Sequence, residues 1–272
     1  MMLRIDLHLH TTESDGMLDP AALMRSVAAA GLDLFAVTDH DTMAAYVRSP
    51  PVFSEHASRL VAGVELSTVA DGREVHILGY NISPGCDGLQ RLLEERVTSR
   101  RTRAERIVAA LNAAGVAISM DEVRRQATGT SIGRPHVARA LVDRGDARDI
   151  GDAFTRYLGS AGIAYQPLTG IPSARAIATI RECGGVAVLA HPALNGAGQR
   201  IAELQRAGLQ GVEVYSPSHT PHEVAYYRAL ARDSGLVVTG GTDFHAPSEL
   251  YPRPGVEIEA SELAPFLELI HR

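Results

Sequence analysis

Near its amino terminus the chain reads Asp6-Leu7-His8-Leu9-His10, followed by Thr11-Thr12-Glu13-Ser14-Asp15-Gly16. Apolar and polar residues alternate from residue 3 to residue 10, which is the two-residue period of a half-buried β-strand. His8 and His10 therefore project from the same face of that strand. Two imidazoles ahead of a Thr/Ser/Asp/Gly loop are typical of the first wall of a metal site, although they also fit a strand that turns two histidines to solvent. The choice between these interpretations depends on ligands further along the chain.

Size and composition indicate a globular protein. The 272 residues are 45% hydrophobic, which is enough for one large core. Cys86 and Cys183 are far apart and lack CxxC spacing, so we expect neither a disulfide framework nor a thiolate zinc site. The chain has no apolar segment typical of a signal peptide and no run of about 18 apolar residues. We therefore expect a soluble protein of the reducing cytoplasm that does not enter a membrane.

Charge is distributed unevenly along the chain. Residues 88–159 hold 13 arginines and 9 acidic residues, a net charge of +4, whereas the remainder carries −10. A basic segment beside an acidic body would attract a phosphorylated substrate, although a helical region with a solvated surface shows the same balance. With an overall net charge of −6, nonspecific binding to duplex DNA is not expected. The absence of tryptophan and the few aromatic residues also argue against extended stacking on nucleic acid.

Several predicted strands run directly into ligand-type residues. We predict strands over residues 34–37, 60–64, 74–80, 186–190, 211–215 and 236–239. Strands that alternate with helices imply a parallel sheet, and α/β barrels place their chemistry at the carboxyl ends of such strands. The ligand-type residues are His8, His10, Asp15, His40, Glu65, His76, His191, Asp243 and His245. Because one catalytic zinc or manganese ion takes roughly three or four protein ligands, this set predicts two or three ions.

The strand pattern stops between residues 89 and 165. Helices are predicted over 89–114, 121–127, 135–144 and 150–158. We interpret residues 88–159 as an inserted helical domain that caps a barrel made of residues 1–87 and 160–272. The candidate contacts for a substrate phosphate are Arg100, Arg101, Arg134 and His136, since guanidinium groups and a helix start bind phosphate oxygens. Surface solvation of the arginines and an ordinary first helical turn at His136 remain open alternatives.

Five motifs resemble those of the PHP family, named for polymerase and histidinol phosphatase. They are Asp6-Leu7-His8-Leu9-His10, Thr38-Asp39-His40, Gly63-Val64-Glu65, Ala190-His191-Pro192 and Gly241-Thr242-Asp243-Phe244-His245. The resemblance implies an α/β fold, a distorted (β/α)7 barrel, with three divalent metal ions at its carboxyl-end face. Manganese is expected, with zinc or iron as alternatives.

Ligand assignments follow from motif position within this resemblance. His8, His10, Glu65 and Asp243 would hold one ion, Glu65 with His76 and His191 a second, and Asp15, His40 and His245 a third. Glu65 would bridge two of them. Asp39 and Asp41, which flank His40, would orient imidazoles, or Asp41 would cap a helix.

The insertion carries a second resemblance, through Ile132-Gly133-Arg134-Pro135-His136. This arrangement is similar to bacterial 3′,5′-nucleoside bisphosphate phosphatases, which are related to 5′-to-3′ exoribonucleases. It implies that a hydroxide bridging metal ions removes the 3′-phosphate of adenosine 3′,5′-bisphosphate, while the arginines hold the other phosphate. The catalytic residues would be Glu65, His191, Asp243 and His245. One of Tyr80, Tyr157 and Tyr165 would contact the base.

The chemistry of a metal site agrees with ester hydrolysis. A bound metal lowers the pKa of water to about 7 and offsets charge on phosphoryl oxygens, so no covalent nucleophile is required. The sequence contains no GxSxG elbow, no Cys-x5-Arg loop and no phosphate-binding GxxxxGK[ST] loop. Three alternatives stay open, namely a histidinol phosphatase, a 5′-to-3′ exoribonuclease acting on short 5′-phosphorylated RNA, and a metal-binding accessory module without activity.

Overall fold

The computed structural model describes residues 1–56, 59–129, 131–167, 169–248 and 252–271. Strands within these ranges are β1 Met2–Leu9, β2 Leu34–Val37, β3 Leu60–Ala70, β4 Arg73–Tyr80, β5 Val186–Leu189, β6 Gly211–Tyr215, β7 Val237–Gly240 and β8 Val256–Glu259. They form one sheet in the order β7-β6-β5-β4-β3-β2-β1-β8. All six strands predicted after β1 are present, while β8 was not predicted.

The α-helices are α1 Pro20–Ala30, α2 Ala44–Arg48, α3 Pro50–Ser54, α4 Asp87–Ala113, α5 Met120–Arg125, α6 Arg134–Asp143, α7 Ile150–Ala153, α8 Ser173–Glu182, α9 Ile201–Arg206, α10 Pro221–Ser234 and α11 Ala260–Ile270. A π-helical turn, Phe154–Leu158, continues α7, and a 3₁₀ segment, Leu194–Arg200, precedes α9. Among the described helices, none combines the length and the apolar character that crossing a membrane requires.

The sheet is mixed, so the fully parallel sheet implied by the strand pattern is wrong. β4 runs antiparallel to both β3 and β5, and β8 runs antiparallel to β1. The cause at β4 is the tight turn through Asp71 and Gly72, whose φ angles of 45° and 73° are those of a two-residue hairpin. Such a turn joins only antiparallel strands.

The two ends of the sheet approach each other and nearly close a barrel. Phe244, just after β7, accepts a hydrogen bond from the His10 amide at 3.0 Å and donates one to the His8 carbonyl at 3.2 Å. Gly241 allows this approach, because a Cβ at that position would lie 2.4 Å from the His8 Cβ. The residues after β7 therefore lie directly beside the histidines of β1.

β1 is buried on both faces rather than on one. Ile5, Leu7 and Leu9 are fully buried in the core, and His8 and His10 on the opposite face are also 0% exposed. The solvent-facing alternative for these two histidines is therefore wrong. Two imidazoles removed from water need partners inside the protein.

Helices α4 to α7 follow β4 where helices were predicted. α4, α5 and α6 lie within two residues of their expected bounds, and the predicted helix 150–158 consists of α7 and the π-helical turn. These helices share a hydrophobic cluster that includes Ile107, Leu111, Val137, Leu141 and Leu158. An internal core of this kind is what a separate helical unit requires. The division into two domains at residues 88 and 159 remains a prediction.

Cys86 and Cys183 form a disulfide, which corrects the expectation of no disulfide. Cys86 is the residue before α4 and Cys183 the residue after α8, so the bond ties the start of one helix to the end of the other. A separation of 97 residues in sequence gave no sign of this contact. Because the two cysteines are paired, cysteine usage no longer supports the expectation of a reducing compartment.

Candidate metal centre and substrate pocket

Glu65, on β3, lies at the centre of the candidate metal site. Its side chain is fully buried, and imidazole nitrogens of five histidines lie within 3.3 Å of its two oxygens. His8 (3.1 Å), His10 (3.3 Å) and His40 (2.9 Å) approach Oε2, and His76 (2.8 Å) and His191 (3.2 Å) approach Oε1. These histidines belong to β1, to β4 and to the residues that follow β2 and β5. One carboxylate thus meets side chains from distant parts of the chain.

The ligand-type atoms form three groups whose members lie within 4.8 Å of one another. The groups are His8, His10, Glu65 and Asp243; then His10, Asp15, His40 and His245; and then His40, Glu65 and His76. With His191 beside Glu65, all nine side chains proposed from the sequence meet at one site. The groups differ from those that the resemblance implies in two respects. His10 also belongs to the group of Asp15, His40 and His245. In the group of Glu65 and His76, the third member is His40, whereas His191 was expected.

Several atoms of this cluster have no hydrogen-bond partner among the described residues. They are His8 Nε2, His10 Nε2, Asp15 Oδ1, His40 Nδ1, Glu65 Oε2, His191 Nδ1 and Asp243 Oδ1. Buried polar atoms are almost always satisfied, so this concentration needs an explanation. Imidazole nitrogens and carboxylate oxygens are ligands for zinc, manganese and iron. The residues therefore fit divalent cations.

Electrostatics favour the same interpretation. Burial alone would raise the pKa of Glu65, but the imidazoles of His40, His8 and His76 lower it well below its usual value. In the same way, burial tends to lower the pKa of His245, while Asp15 and Asp243 raise it to about 10. The carboxylates remain ionised in a buried site and attract positive charge. The positive charge comes either from protonated imidazoles or from divalent cations that take the place of the protons.

Two of the cluster residues adopt a left-handed backbone. His191 has a φ of 27° and Asp243 a φ of 55°, conformations that cost roughly 1–3 kcal/mol for residues other than glycine. Glu213 of β6 supports one of them, since it accepts a hydrogen bond from the His191 amide at 2.8 Å. The other Glu213 oxygen lies 3.0 Å from His8 Nδ1. Glu213 therefore orients two candidate ligands without belonging to any of the three groups.

Asp39 organises the loop that presents Asp15. Its carboxylate accepts hydrogen bonds from the Thr11 amide at 2.7 Å, the Thr11 hydroxyl at 2.6 Å and the Ser14 hydroxyl at 2.6 Å. Asp39 thus holds the loop, and among the described residues it reaches an imidazole only through the Ser14 hydroxyl, which lies 3.5 Å from His10 Nδ1. Asp41 was expected either to orient an imidazole or to cap a helix. Its carboxylate instead accepts hydrogen bonds from the Ser67 amide and from Arg100, and the described contacts give it neither role.

A pocket extends from the metal cluster to the helical insertion. Asp15, His40, Glu74 and His76 line its cluster end. Its remaining lining consists of Arg100, Arg103, Arg134, Ala104, Ile107, Ile132, Gly133, Pro135 and Phe154. The pocket therefore combines a metal-type wall, three guanidinium groups and an apolar side.

Comparison with known proteins identifies the architecture. Residues 6–159 match the PHP domain family. The chain belongs to the PHP family. It is 34% identical over 249 residues to the 5′-3′ exoribonuclease Rnm of Escherichia coli, covering 89% of this chain and 85% of that protein. It is also 34% identical over 254 residues to the 3′,5′-nucleoside bisphosphate phosphatase of Chromobacterium violaceum, covering 91% and 89%.

A solved structure extends the likeness to the whole fold. The structure of an amidohydrolase from Chromobacterium violaceum, with bound sulfate and no metal, superposes with a TM-score of 0.88 and 32% identity, covering 98% of this chain and 96% of that one. The PHP barrel expected from the motifs is therefore confirmed. The chain is a PHP phosphoesterase whose His, Asp and Glu clusters are suited to metal binding.

Not every phosphate contact expected in this PHP protein reaches the pocket. Arg100 and Arg134 line it, but Arg101 is 61% exposed and pairs with Glu105 at 3.1 Å. Arg103 lies in the pocket instead. The reason is helical geometry, because residues 100 and 103 share one face of α4 whereas residue 101 points about 100° away. Counting from the buried apolar face of α4 would have selected Arg103.

His136 is buried beside the pocket-lining residues Gly133 and Pro135 and does not itself line the pocket. Its Nδ1 accepts a hydrogen bond from the Gly133 amide at 2.9 Å. Burial and the nearby Arg139 guanidinium lower the pKa of His136 to about 4. The ring is therefore neutral near pH 7. It holds the turn that leads into Arg134.

The lowered pKa of His136 predicts a pH-dependent loss of stability. The unfolded chain takes up a proton here near pH 6.5, but the folded protein does so only near pH 4, so stability falls as pH drops through this window. Between pH 7 and pH 5, we expect the wild-type protein to lose about 2 kcal/mol more unfolding free energy than His136→Gln. Urea unfolding of both proteins at equal metal concentration measures the difference. Parallel pH profiles would rule out a neutral buried His136.

Proposed function

We propose that this PHP phosphoesterase removes the 3′-phosphate of 3′,5′-nucleoside bisphosphates, with adenosine 3′,5′-bisphosphate as the representative substrate. The observation that carries the proposal is the pocket, which joins the metal-type cluster to Arg100, Arg103 and Arg134. A bisphosphate has two anionic ends, and this pocket offers two kinds of anion site. The name of the Chromobacterium violaceum relative supports the same substrate class.

The scissile phosphate would bind at the cluster, where His8, His10, Asp15, His40, Glu65, His76, His191, Asp243 and His245 would hold two or three divalent ions, manganese being our first choice. When bound, such ions lower the pKa of water and offset charge on phosphoryl oxygens. Glu65 would bridge neighbouring ions, since its oxygens face five imidazoles. Glu213 would keep His8 and His191 in place.

The second phosphate would bind among the arginines that the helical insertion contributes. Arg134 Nη2 lies 3.1 Å from Glu74 Oε2, and Arg103 approaches the same oxygen at 3.5 Å. Glu74 holds both guanidinium groups at the pocket wall but neutralises only one of their two charges. Together with Arg100, the wall keeps a positive charge for an anion.

Phe154 is the best candidate to contact the base. It lines the pocket and lies under Arg134, whose Cζ is 5.6 Å from the ring centroid. The tyrosines expected for this role lie elsewhere. Tyr80 and Tyr157 are buried and donate to carbonyl oxygens, and Tyr165 does not line the pocket. We propose that a base packs on Phe154, Ile107 and Ile132.

Two other activities make different demands on the pocket. A histidinol phosphatase needs an acidic partner for the substrate amine, and Glu74 is already paired with Arg103, Arg134 and His76. A 5′-to-3′ exoribonuclease acting on short 5′-phosphorylated RNA fits the same phosphate sites, and a relative of this name is equally similar to the chain. The exoribonuclease is therefore the second candidate function.

Product analysis separates these activities. Purified protein with Mn²⁺ is given adenosine 3′,5′-bisphosphate, histidinol phosphate or a 5′-phosphorylated dinucleotide, and both phosphate and nucleoside products are quantified. We expect phosphate and adenosine 5′-phosphate from the bisphosphate at the highest kcat/KM. Adenosine 3′-phosphate as the product, or faster cleavage of the dinucleotide, would overturn the 3′-phosphatase proposal.

Arg134→Ala tests the second phosphate site. Because Arg134 is only 24% exposed at the side chain, its charge-assisted contact should be worth about 2–3 kcal/mol. We expect kcat/KM for adenosine 3′,5′-bisphosphate to fall about 10²-fold, mainly through KM. Arg101→Ala is the matched control, since Arg101 is exposed on α4, and should keep wild-type kinetics. Equal losses in both variants would exclude a specific contact at Arg134.

A further inference from the structure

Asp41 connects the metal cluster to the arginine wall. It follows His40 directly, is fully buried, and donates its amide to the Glu65 carbonyl at 2.8 Å. Its carboxylate accepts hydrogen bonds from the Ser67 amide at 3.0 Å and from Arg100 Nε at 2.5 Å. Its φ of 54° lies in the left-handed region, which costs an aspartate roughly 1–3 kcal/mol. The surrounding contacts therefore hold Asp41 in a strained position between the two halves of the pocket.

The Arg100 guanidinium is fixed at two of its three nitrogens. Nε donates to Asp41, and Nη2 donates to the Ser67 hydroxyl at 2.6 Å. Nη1 faces the start of α6, where a Cβ on Gly133 would lie only 2.9 Å from it. Arg100 thus presents one remaining nitrogen to the pocket, in a direction set by Asp41 and Ser67.

Arg96 adds a second positive charge beside Asp41 and Arg100. It is 1% exposed, its Nε lies 3.4 Å from Asp41 Oδ1, and its three guanidinium nitrogens have no hydrogen-bond partner among the described residues. Asp41 therefore faces two guanidinium groups, and the trio carries a net charge of +1. Without Arg96, the Asp41–Arg100 pair would be neutral and would attract an anion less strongly.

We propose that Asp41 is a positioning residue that aims Arg100 at the second, non-scissile phosphate of the substrate, while Arg96 preserves the positive charge of the pair. The inference rests on the proposed function, because it assigns Arg100 to a substrate with two phosphates. Asp41 itself touches no substrate. Its influence passes through the direction and charge of the Arg100 side chain.

A double-mutant cycle with two substrates tests this role. Asp41→Asn, Arg100→Gln and the double variant are assayed with adenosine 3′,5′-bisphosphate and with adenosine 3′-phosphate, which lacks the second phosphate. Each variant should reduce the preference for the bisphosphate about tenfold, through KM more than kcat. For Asp41→Asn we expect the loss of Arg100 orientation to outweigh the positive charge that the substitution adds. The double variant should lose no more than Arg100→Gln alone, since both changes remove the same contact. Asp121→Asn, at an exposed aspartate of α5, is the control.

Metal content and binding provide readouts that do not depend on turnover. Asp41→Asn should keep the wild-type metal content, and calorimetry on the metal-loaded protein with a hydrolysis-resistant phosphonate analogue of the bisphosphate should show the same tenfold loss in affinity. Additive losses, equal losses on both substrates, or fewer bound metals would overturn the proposal. If the wild type binds the bisphosphate without hydrolysing it, the proposed function fails while the binding cycle still decides the role of Asp41. Absence of binding to the wild type would overturn both.

Discussion

Replacing Glu65 by glutamine is expected to lower kcat for phosphate release by about 10³-fold, equivalent to about 4 kcal/mol. The amide keeps the size of the side chain but removes the buried charge on which five imidazoles converge. An ion left without this carboxylate loses both charge and geometry. Phosphate release at saturating substrate and the metal content of the purified variant measure the two effects together.

A suitable control is Glu257→Gln, which makes the same chemical change at an exposed residue of β8 outside the three ligand groups. This variant should retain wild-type turnover and metal content. A Glu65→Gln protein with near-normal kcat would remove Glu65 from the chemistry. Normal metal content with abolished turnover would show that Glu65 acts in the reaction and is not needed to retain the metal ions.

Removing metal ions is expected to abolish turnover of the wild-type protein. The cluster carries Asp15, Glu65 and Asp243 as ionised carboxylates, whose pKa values stay well below the usual range despite burial. Without divalent cations, these carboxylates would hold protons on the neighbouring imidazoles, and nothing at the cluster would lower the pKa of water or offset charge on the phosphoryl oxygens. We expect dialysis against a chelator to eliminate phosphate release and Mn²⁺ to restore it.

Titrating metal back into the stripped protein also tests the number of ions. Activity should continue to rise beyond one equivalent of Mn²⁺ per chain, because the structure offers three ligand groups. The unfolding temperature should rise over the same range, since an ion that binds only the folded state stabilises it. Full activity in the presence of excess chelator, with no metal detected, would contradict metal dependence.

The cluster could be predicted because histidines, aspartates and glutamates stand at the ends of the predicted strands. His8, His10 and Glu65 are ligand-type residues beside apolar runs, and a barrel brings the ends of its strands to one rim. Helix positions in the insertion were equally accessible, since apolar spacing fixes them within a few residues. Residue types and helix positions depend on local sequence, whereas the convergence of the ligands followed from the barrel that alternating strands and helices imply.

Features that depend on distant contacts could not be predicted in the same way. Glu213 lies inside an apolar strand, and only the fold shows that it faces His8 and His191. The buried face of α4 identifies Arg103, and not Arg101, as a residue that can reach the pocket. No sequence pattern indicated that Glu74 would pair with Arg103 and Arg134. The antiparallel direction of β4 follows from the Asp71-Gly72 turn, which the sequence contained and the strand pattern obscured.

The bond between Cys86 and Cys183 closes the chain into a covalent ring that contains Arg100, Arg103 and Arg134. A protease that cuts one peptide bond inside this ring would therefore release no fragment. The arginines and the barrel would stay attached to each other after such a cut, until a reductant opened the ring.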